Sequence, residues 1–180
     1  MHENIPPELL RRAGKIRLMG MDIDGVLTGG EIIVLESREE VKIWNVKDRF
    51  AFYLSRRAGD ALVFAWITGR KSRQVSDRAK EIGIHELVQD CMKKREAMEQ
   101  ILSRNGISPE EAVFIGDDLV DVPVFRSVGL AICPADAPDE VKKEAHYISP
   151  YAGGKGVLRD AVELVLKARG LWPKATEGYL

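Results

Sequence analysis

The stretch Ile16-Arg17-Leu18-Met19-Gly20-Met21-Asp22-Ile23-Asp24-Gly25-Val26-Leu27-Thr28 decides the fold. The largely apolar run Ile16–Met21 predicts a β-strand that ends on Asp22. Residues two apart on an extended chain point to the same side, so Asp22 and Asp24 converge. Two carboxylates that close repel each other, and a hard cation resolves the repulsion. Gly25 permits a sharp exit from the strand. Taken by itself, the same stretch also fits a turn with two solvated carboxylates.

Outward from this strand, short apolar runs alternate with amphipathic stretches. Ala61–Ile67 is continuously apolar, as a strand buried on both faces is. Ala112–Ile115 and Gly129–Ile132 are two further strands, and His146–Ile148 is a short last one. Helices are expected from a cap at Asp48 to about Ala58, then over Ser72–Ile82, Lys93–Arg104 and Gly156–Ala168, each followed by a glycine within a few residues. Strands alternating with helices imply an α/β fold: a mostly parallel, Rossmann-like sheet between two helical layers. One segment departs from the alternation. Glu31–Leu35 and Val41–Ile43 flank the polar Glu36–Glu40 and predict a β-hairpin inserted over about 29–45. Ile32, Val34 and Trp44 would be exposed on it unless something covers them. The chain reads as one domain over 1–180, with its core at about 15–170, an N-terminal arm at 1–14 and a flexible C-terminal tail at 171–180.

Composition narrows the class. With 180 residues, 45% of them apolar, the chain can bury one sizeable core. Lys+Arg 27 against Asp+Glu 28 gives a net charge of -1, so nothing points to nucleic acid. Cys91 and Cys133 fit no disulfide scaffold and no metal spacing; they read as reduced thiols of a cytoplasmic protein. Met1–Lys15 has no apolar secretion signal, and Ala61–Ile67 is far short of the roughly 20 residues of a membrane span.

Three more clusters lie at strand or helix ends. Gly116-Asp117-Asp118-Leu119-Val120-Asp121 follows Ala112–Ile115. Asp117 is nearest the strand and is the expected metal ligand, Asp121 supports it, and Asp118 caps the next helix or joins that support. Thr68-Gly69-Arg70-Lys71 offers a hydroxyl, a flexible backbone and cations to a phosphate. Lys93-Lys94-Arg95 opens a helix, and one of its lysines can reach the site as a point charge. Oxygen donors without histidine favour magnesium over zinc. Together these are the parts of metal-assisted phosphoryl transfer through an aspartyl phosphate.

The four clusters, in this order, resemble the four motifs of the haloacid dehalogenase superfamily of phosphatases. Over about 15–170 the chain is similar to its 3-deoxy-D-manno-octulosonate 8-phosphate phosphatases, on Asp22–Thr28, Asn45-Val46-Lys47-Asp48, Ile67–Lys71, Gln89 with Lys94, Gly116–Asp121 and Ala152-Gly153-Gly154-Lys155-Gly156. Arg49 stands where those relatives usually have glycine, and Lys155 where arginine is common. The resemblance implies catalysis by Asp22 as nucleophile and Asp24 as general acid and base. Thr68 and Lys94 would hold phosphate oxygens. Magnesium would be bound by Asp22, the backbone carbonyl of Asp24, and Asp117, with Asp118 and Asp121 behind them. Asn45, Lys47, Asp48, Gly69, Arg70 and Lys155 are its candidates for reading a sugar acid phosphate. It further implies a role in lipopolysaccharide precursor synthesis and a homotetramer built through the hairpins. No room exists for the cap domain that many superfamily members carry. Close relatives act on 2-keto-3-deoxynononate 9-phosphate, which stands as the alternative substrate. A signalling receiver domain fits poorly, because its acceptor aspartate lies on a later strand. A catalytically silent assembly domain would not need Asp22, Asp24, Lys94 and Asp117 together.

Overall fold

The computed structural model describes residues 5–180, so the first four residues of the expected N-terminal arm, and part of the stretch read for a secretion signal, lie outside it. The chain runs α1 (Pro7–Ala13), β1 (Leu18–Met21), β2 (Ile33–Val34), β3 (Glu40–Val41), α2 (Val46–Arg57), β4 (Val63–Ile67), α3 (Arg73–Ile82) and β5 (Glu86–Val88). It continues with α4 (Lys94–Asn105), β6 (Ala112–Ile115), α5 (Val122–Phe125), β7 (Leu130–Cys133), α6 (Asp139–Glu144), β8 (Tyr147–Ile148), α7 (Val157–Ala168) and α8 (Trp172–Thr176).

Six strands form one parallel sheet in the order β5-β4-β1-β6-β7-β8. The chain builds outward from β1 to one side through β4 and β5, then returns to the other side through β6, β7 and β8. The crevice beyond the carboxyl end of β1 is therefore the switch point where such sheets bind ligands. Register fixes what meets there. Met21 is level with Trp66 on one side and Ile115 on the other. Asp22, Thr68 and Asp117 thus leave three adjacent strands within a residue of the same height.

The alternation of β1 divides the core. Met19 and Met21 join a cluster with α1, α2, α3, α7 and α8. Leu18 faces the opposite cluster, which α4, α5 and α6 cover. Gly20 lies on that second face, where a Cβ would stand 2.9 Å from the Phe114 ring and 3.0 Å from the Met98 sulfur. α7 is the backbone of the first layer, with buried Val157, Leu158, Val162, Leu164, Val165 and Leu166. Each such side chain contributes on the order of 1.5–3 kcal/mol.

Several expectations change. Asn45, not Asp48, caps α2, its side chain accepting the Lys47 N–H at 2.8 Å. β5 is a strand without a sequence signal, because Glu86 and flanking polar residues interrupt its apolar pattern. The arm at 1–14 contains α1, whose Leu9 and Ala13 are buried. The tail at 171–180, expected to be flexible, folds into α8: Ala175 is fully buried, and its carbonyl accepts Arg57 Nε at 3.0 Å. Leu171 and Trp172 anchor it on the first core cluster.

The hairpin is present and antiparallel, with Ile33 opposite Val41. Its strands are two residues each, shorter than the sequence implied. Trp44 is not exposed as expected, since it stacks on the buried Trp66 at 5.6 Å. Ile32 and Val34 are bare as expected, at 54 and 59% exposure, and Ile43, not singled out by the sequence, is bare too at 63%. Among the described residues this hairpin is the only added element between β1 and α2, and nothing the size of a cap follows it.

Candidate active site

Asp22, at the end of β1, is buried, and one oxygen accepts the Ile23 N–H at 2.7 Å. Its other oxygen lies 2.7 Å from Lys94 Nζ. Lys94 opens α4, is itself buried, and makes a second 2.7 Å pair with Asp121 Oδ1. Burial opposes the charge on Lys94, but the Asp121 and Asp22 carboxylates outweigh it and raise its pKa. The ammonium is therefore a fixed positive charge beneath the site.

Asp121 is fully enclosed. Its second oxygen accepts the backbone N–H of Asp117 at 3.0 Å and of Asp118 at 3.3 Å, which ties the turn after β6 to Lys94. Asp121 thus orients the turn. Asp118 is exposed and accepts the Leu119 N–H at 2.7 Å, so it caps the 3-10 turn Leu119–Asp121 and does not face Asp22.

Oxygens of Asp22, Asp117 and Asp121 lie within 4.8 Å of one another. Asp117 Oδ1 is buried without a hydrogen-bond partner. Burial, with the charges of Asp22 and Asp121 added, pushes the Asp117 carboxyl up to about 7. Burial also pushes Asp22 up to about 6, against the pull of Lys94. An orphaned carboxylate oxygen facing a second carboxylate, in an all-oxygen site, fits a hard divalent cation. Asp121 is wholly enclosed and turned to Lys94 and the turn, so the less enclosed Asp22 and Asp117 are the side chains that would hold it. Gly25 is required here: at φ +88° its missing Cβ would sit 1.9 Å from Asp117 Oδ2.

The loop Asp22–Thr28 is held from the far side. Gly154 N–H donates to Val26 O at 2.9 Å, and a Cβ on Gly153 would lie 2.0 Å from the Gly25 carbonyl oxygen. Thr68, at the end of β4, is buried, with its hydroxyl oxygen accepting the Arg70 N–H at 3.2 Å. Its hydroxyl proton stays available to a phosphate oxygen. Gln89, part of the sequence resemblance, accepts the Ser72 N–H at 2.8 Å and so holds the start of α3.

The six candidates for substrate reading separate into three groups. Asn45 and the Oδ1 oxygen of Asp48 bind scaffold, while Asp48 Oδ2 is buried without a hydrogen-bond partner. Asn45 Nδ2 donates to Gly154 O at 2.8 Å, and buried Asp48 accepts the Arg159 N–H at 2.9 Å at the start of α7. Burial pushes Asp48 up to about 6, opposed by the N–H groups of Arg159, Gly156 and Leu158. Gly69 and Arg70 remain beside Thr68, where Arg70 pairs with Glu40 of the hairpin. Lys47 and Lys155 are exposed and share a cleft of about 130 Å³ with Tyr151 and Arg159. Arg49, the departure from the family pattern, turns to Glu81 at 3.3 Å on α3.

The profile of the haloacid dehalogenase-like hydrolases matches residues 63–159, more than half of the chain. The chain belongs to that family. A curated relative, the 3-deoxy-D-manno-octulosonate 8-phosphate phosphatase KdsC of Salmonella typhimurium, is 37% identical over 166 residues, covering 92% of this chain and 87% of that protein. The crystal structure of the Yersinia pestis phosphatase of the same name superposes with a TM-score of 0.90 at 34% identity, over 93% of this chain and 90% of that one. The Moraxella catarrhalis phosphatase, solved with a magnesium ion, a phosphate ion and a KDO molecule, superposes with a TM-score of 0.87 at 33% identity, over 92 and 94%. This haloacid dehalogenase-family chain is a phosphoric monoester hydrolase, with the parallel sheet of that family and, among the described residues, no cap domain.

One residue has no sequence signal. Lys42 follows β3 on a hairpin that otherwise reads as protruding, yet its side chain is 2% exposed and its amine pairs with Asp24.

Proposed function

We propose that this hydrolase cleaves 3-deoxy-D-manno-octulosonate 8-phosphate to the free sugar acid and phosphate, with magnesium, as a step of lipopolysaccharide precursor synthesis. The observation that carries the chemistry is the buried Asp22–Lys94–Asp121 clamp beside the unpartnered oxygen of Asp117. The similarity to KdsC phosphatases over 92% of the chain supports the substrate.

In this mechanism an oxygen of Asp22 attacks phosphorus, and the bond from phosphorus to the sugar oxygen breaks. Asp24 gives the departing oxygen its proton, then takes one from the water that hydrolyses the aspartyl phosphate. Thr68 donates its hydroxyl proton to the phosphate. Lys94 has two of its three protons on carboxylates and offers the third. Magnesium, held by Asp22, the Asp24 carbonyl and Asp117, supplies positive charge for the phosphate oxygens and keeps both carboxylates ionised. Gly69, Arg70, Lys47 and Lys155 read the sugar acid, whose carboxylate calls for a cation. Asn45 and Asp48 serve the same end indirectly, by fixing the glycine loop and the start of α7.

The protein acts as a single domain in the cytoplasm, as a homotetramer whose hairpins pack together. The bare Ile32, Val34 and Ile43 support this assembly, because an uncovered apolar hairpin invites pairing. Among the described residues no helix is long and apolar enough to cross a membrane.

Specificity constants on this substrate and on 2-keto-3-deoxynononate 9-phosphate test the reading. The eight-carbon ester is expected to be preferred at least about tenfold, the scale of one well-placed polar contact. Preference for the nine-carbon ester would reassign the substrate.

A further inference from the structure

We infer that Lys42 is a positioning residue for Asp24, and that it acts through the hairpin. This inference rests on the acid and base role proposed for Asp24.

Asp24 lies just past the end of β1, followed by Gly25 at φ +88°, and its side chain is 19% exposed. A carboxylate on such a loop has rotamers to choose from, and only one aims an oxygen at the leaving group. The Lys42 amine sits on Asp24 Oδ1. That leaves Oδ2 for the two proton transfers. The lysine is itself fixed. Its backbone N–H donates to Gln74 Oε1 at 2.9 Å, so α3 holds its main chain. Glu40 Oε2 lies 3.7 Å from its amine, and the other Glu40 oxygen is paired with Arg70. Charges thus alternate from Arg70 to Glu40 to Lys42 to Asp24.

Substrate has no direct use for Lys42. Its side chain is 2% exposed, and its charge is already committed to two carboxylates. A buried ammonium in the hairpin would be costly without them. The hairpin therefore does more than supply an apolar surface: its root orients the proton donor.

Two esters separate this role from a structural one. A sugar alcohol leaves poorly and needs a proton, whereas p-nitrophenolate leaves without one. The specificity constant kcat/KM reports events through departure of the leaving group. For Lys42→Met, kcat/KM on 3-deoxy-D-manno-octulosonate 8-phosphate is expected to fall roughly 30-fold, within the range general acid catalysis supplies. On p-nitrophenyl phosphate it is expected to change less than about threefold, the loss being confined to proton donation. Wild-type turnover of the sugar ester checks the substrate reading separately, because the effect on Lys42 is read as a ratio between variant and wild type. If Lys42→Met does not fold, Lys42→Gln, shorter and uncharged, is read in the same way, with the loss again expected on the sugar ester alone. Equal losses on both esters, or no loss on the sugar ester, would overturn the assignment.

Discussion

The switch-point carboxylates and the hairpin are built on opposite terms. At the switch point a charge clamp is fixed: Lys94 is buried between Asp22 and Asp121, and Asp121 spends its second oxygen on two backbone N–H groups. In the hairpin two strands of two residues carry Ile32, Val34 and nearby Ile43 into the open. The first region is built within one chain, whereas the second presents apolar side chains that this chain leaves uncovered. Phosphoryl transfer needs fixed charges, whereas the proposed tetramer needs only an apolar surface to bury. Lys42 is the point where the two meet.

Short of removing Asp22 itself, the largest expected effect breaks the first region. Asp117→Asn removes the side chain whose buried oxygen has no protein partner. Turnover is expected to fall at least about 10²-fold, with a raised magnesium requirement, and metal removal by a chelator should abolish activity reversibly. Titrating magnesium against initial rate for both proteins checks this.

Next comes Lys94→Met, which leaves two carboxylates buried without their cation. Loss of one partner from a buried pair costs about 3–5 kcal/mol, so denaturant unfolding of the metal-free variant should show a loss of that order. A change under about 1 kcal/mol would mean that the clamp is not what holds α4 to β1.

A smaller effect follows from pH. In the metal-free protein burial raises Asp22 to about 6, Asp48 to about 6 and Asp117 to about 7, above the unfolded value of 3.8. Between those values the folded state binds more protons than the unfolded chain, so stability falls as pH rises from about 4 through 7. The melting temperature of the chelated protein should be lower at pH 8 than at pH 5.5, and magnesium should recover most of the loss at pH 8. A flat profile would mean that the carboxylates are less enclosed than the geometry has them.

The smallest expected effect on the monomer, and a large one on assembly, comes from Ile43→Asp. Ile43 is 63% exposed, so monomer stability should move by less than about 0.5 kcal/mol. Sedimentation should nevertheless shift from tetramer to smaller species. An unchanged tetramer would place the interface elsewhere.

What the sequence made legible follows from how local each signal is. Asp22, Thr68 and Asp117 stand at the ends of apolar runs, and their meeting needed only the parallel topology. β5 escaped notice because an edge strand with Glu86 has no unbroken apolar run. Asn45 and Asp48 hold the glycine loop and the start of α7. Their partners, the start of α7 and the Gly154 carbonyl, are over a hundred residues away, beyond any local pattern. Lys42 likewise depends on Gln74 and Asp24, two contacts that no spacing rule encodes. The tail looked featureless because five residues are too short for helical periodicity, and its docking rests on Leu171, Trp172 and Ala175 alone.

The most direct test of the central claim is phosphate release from 3-deoxy-D-manno-octulosonate 8-phosphate by Asp22→Asn in the presence of magnesium. The account predicts a folded protein whose rate falls at least about 10³-fold, as loss of an attacking group does. Near wild-type phosphate release from that variant would contradict it, because another group would then have to attack phosphorus.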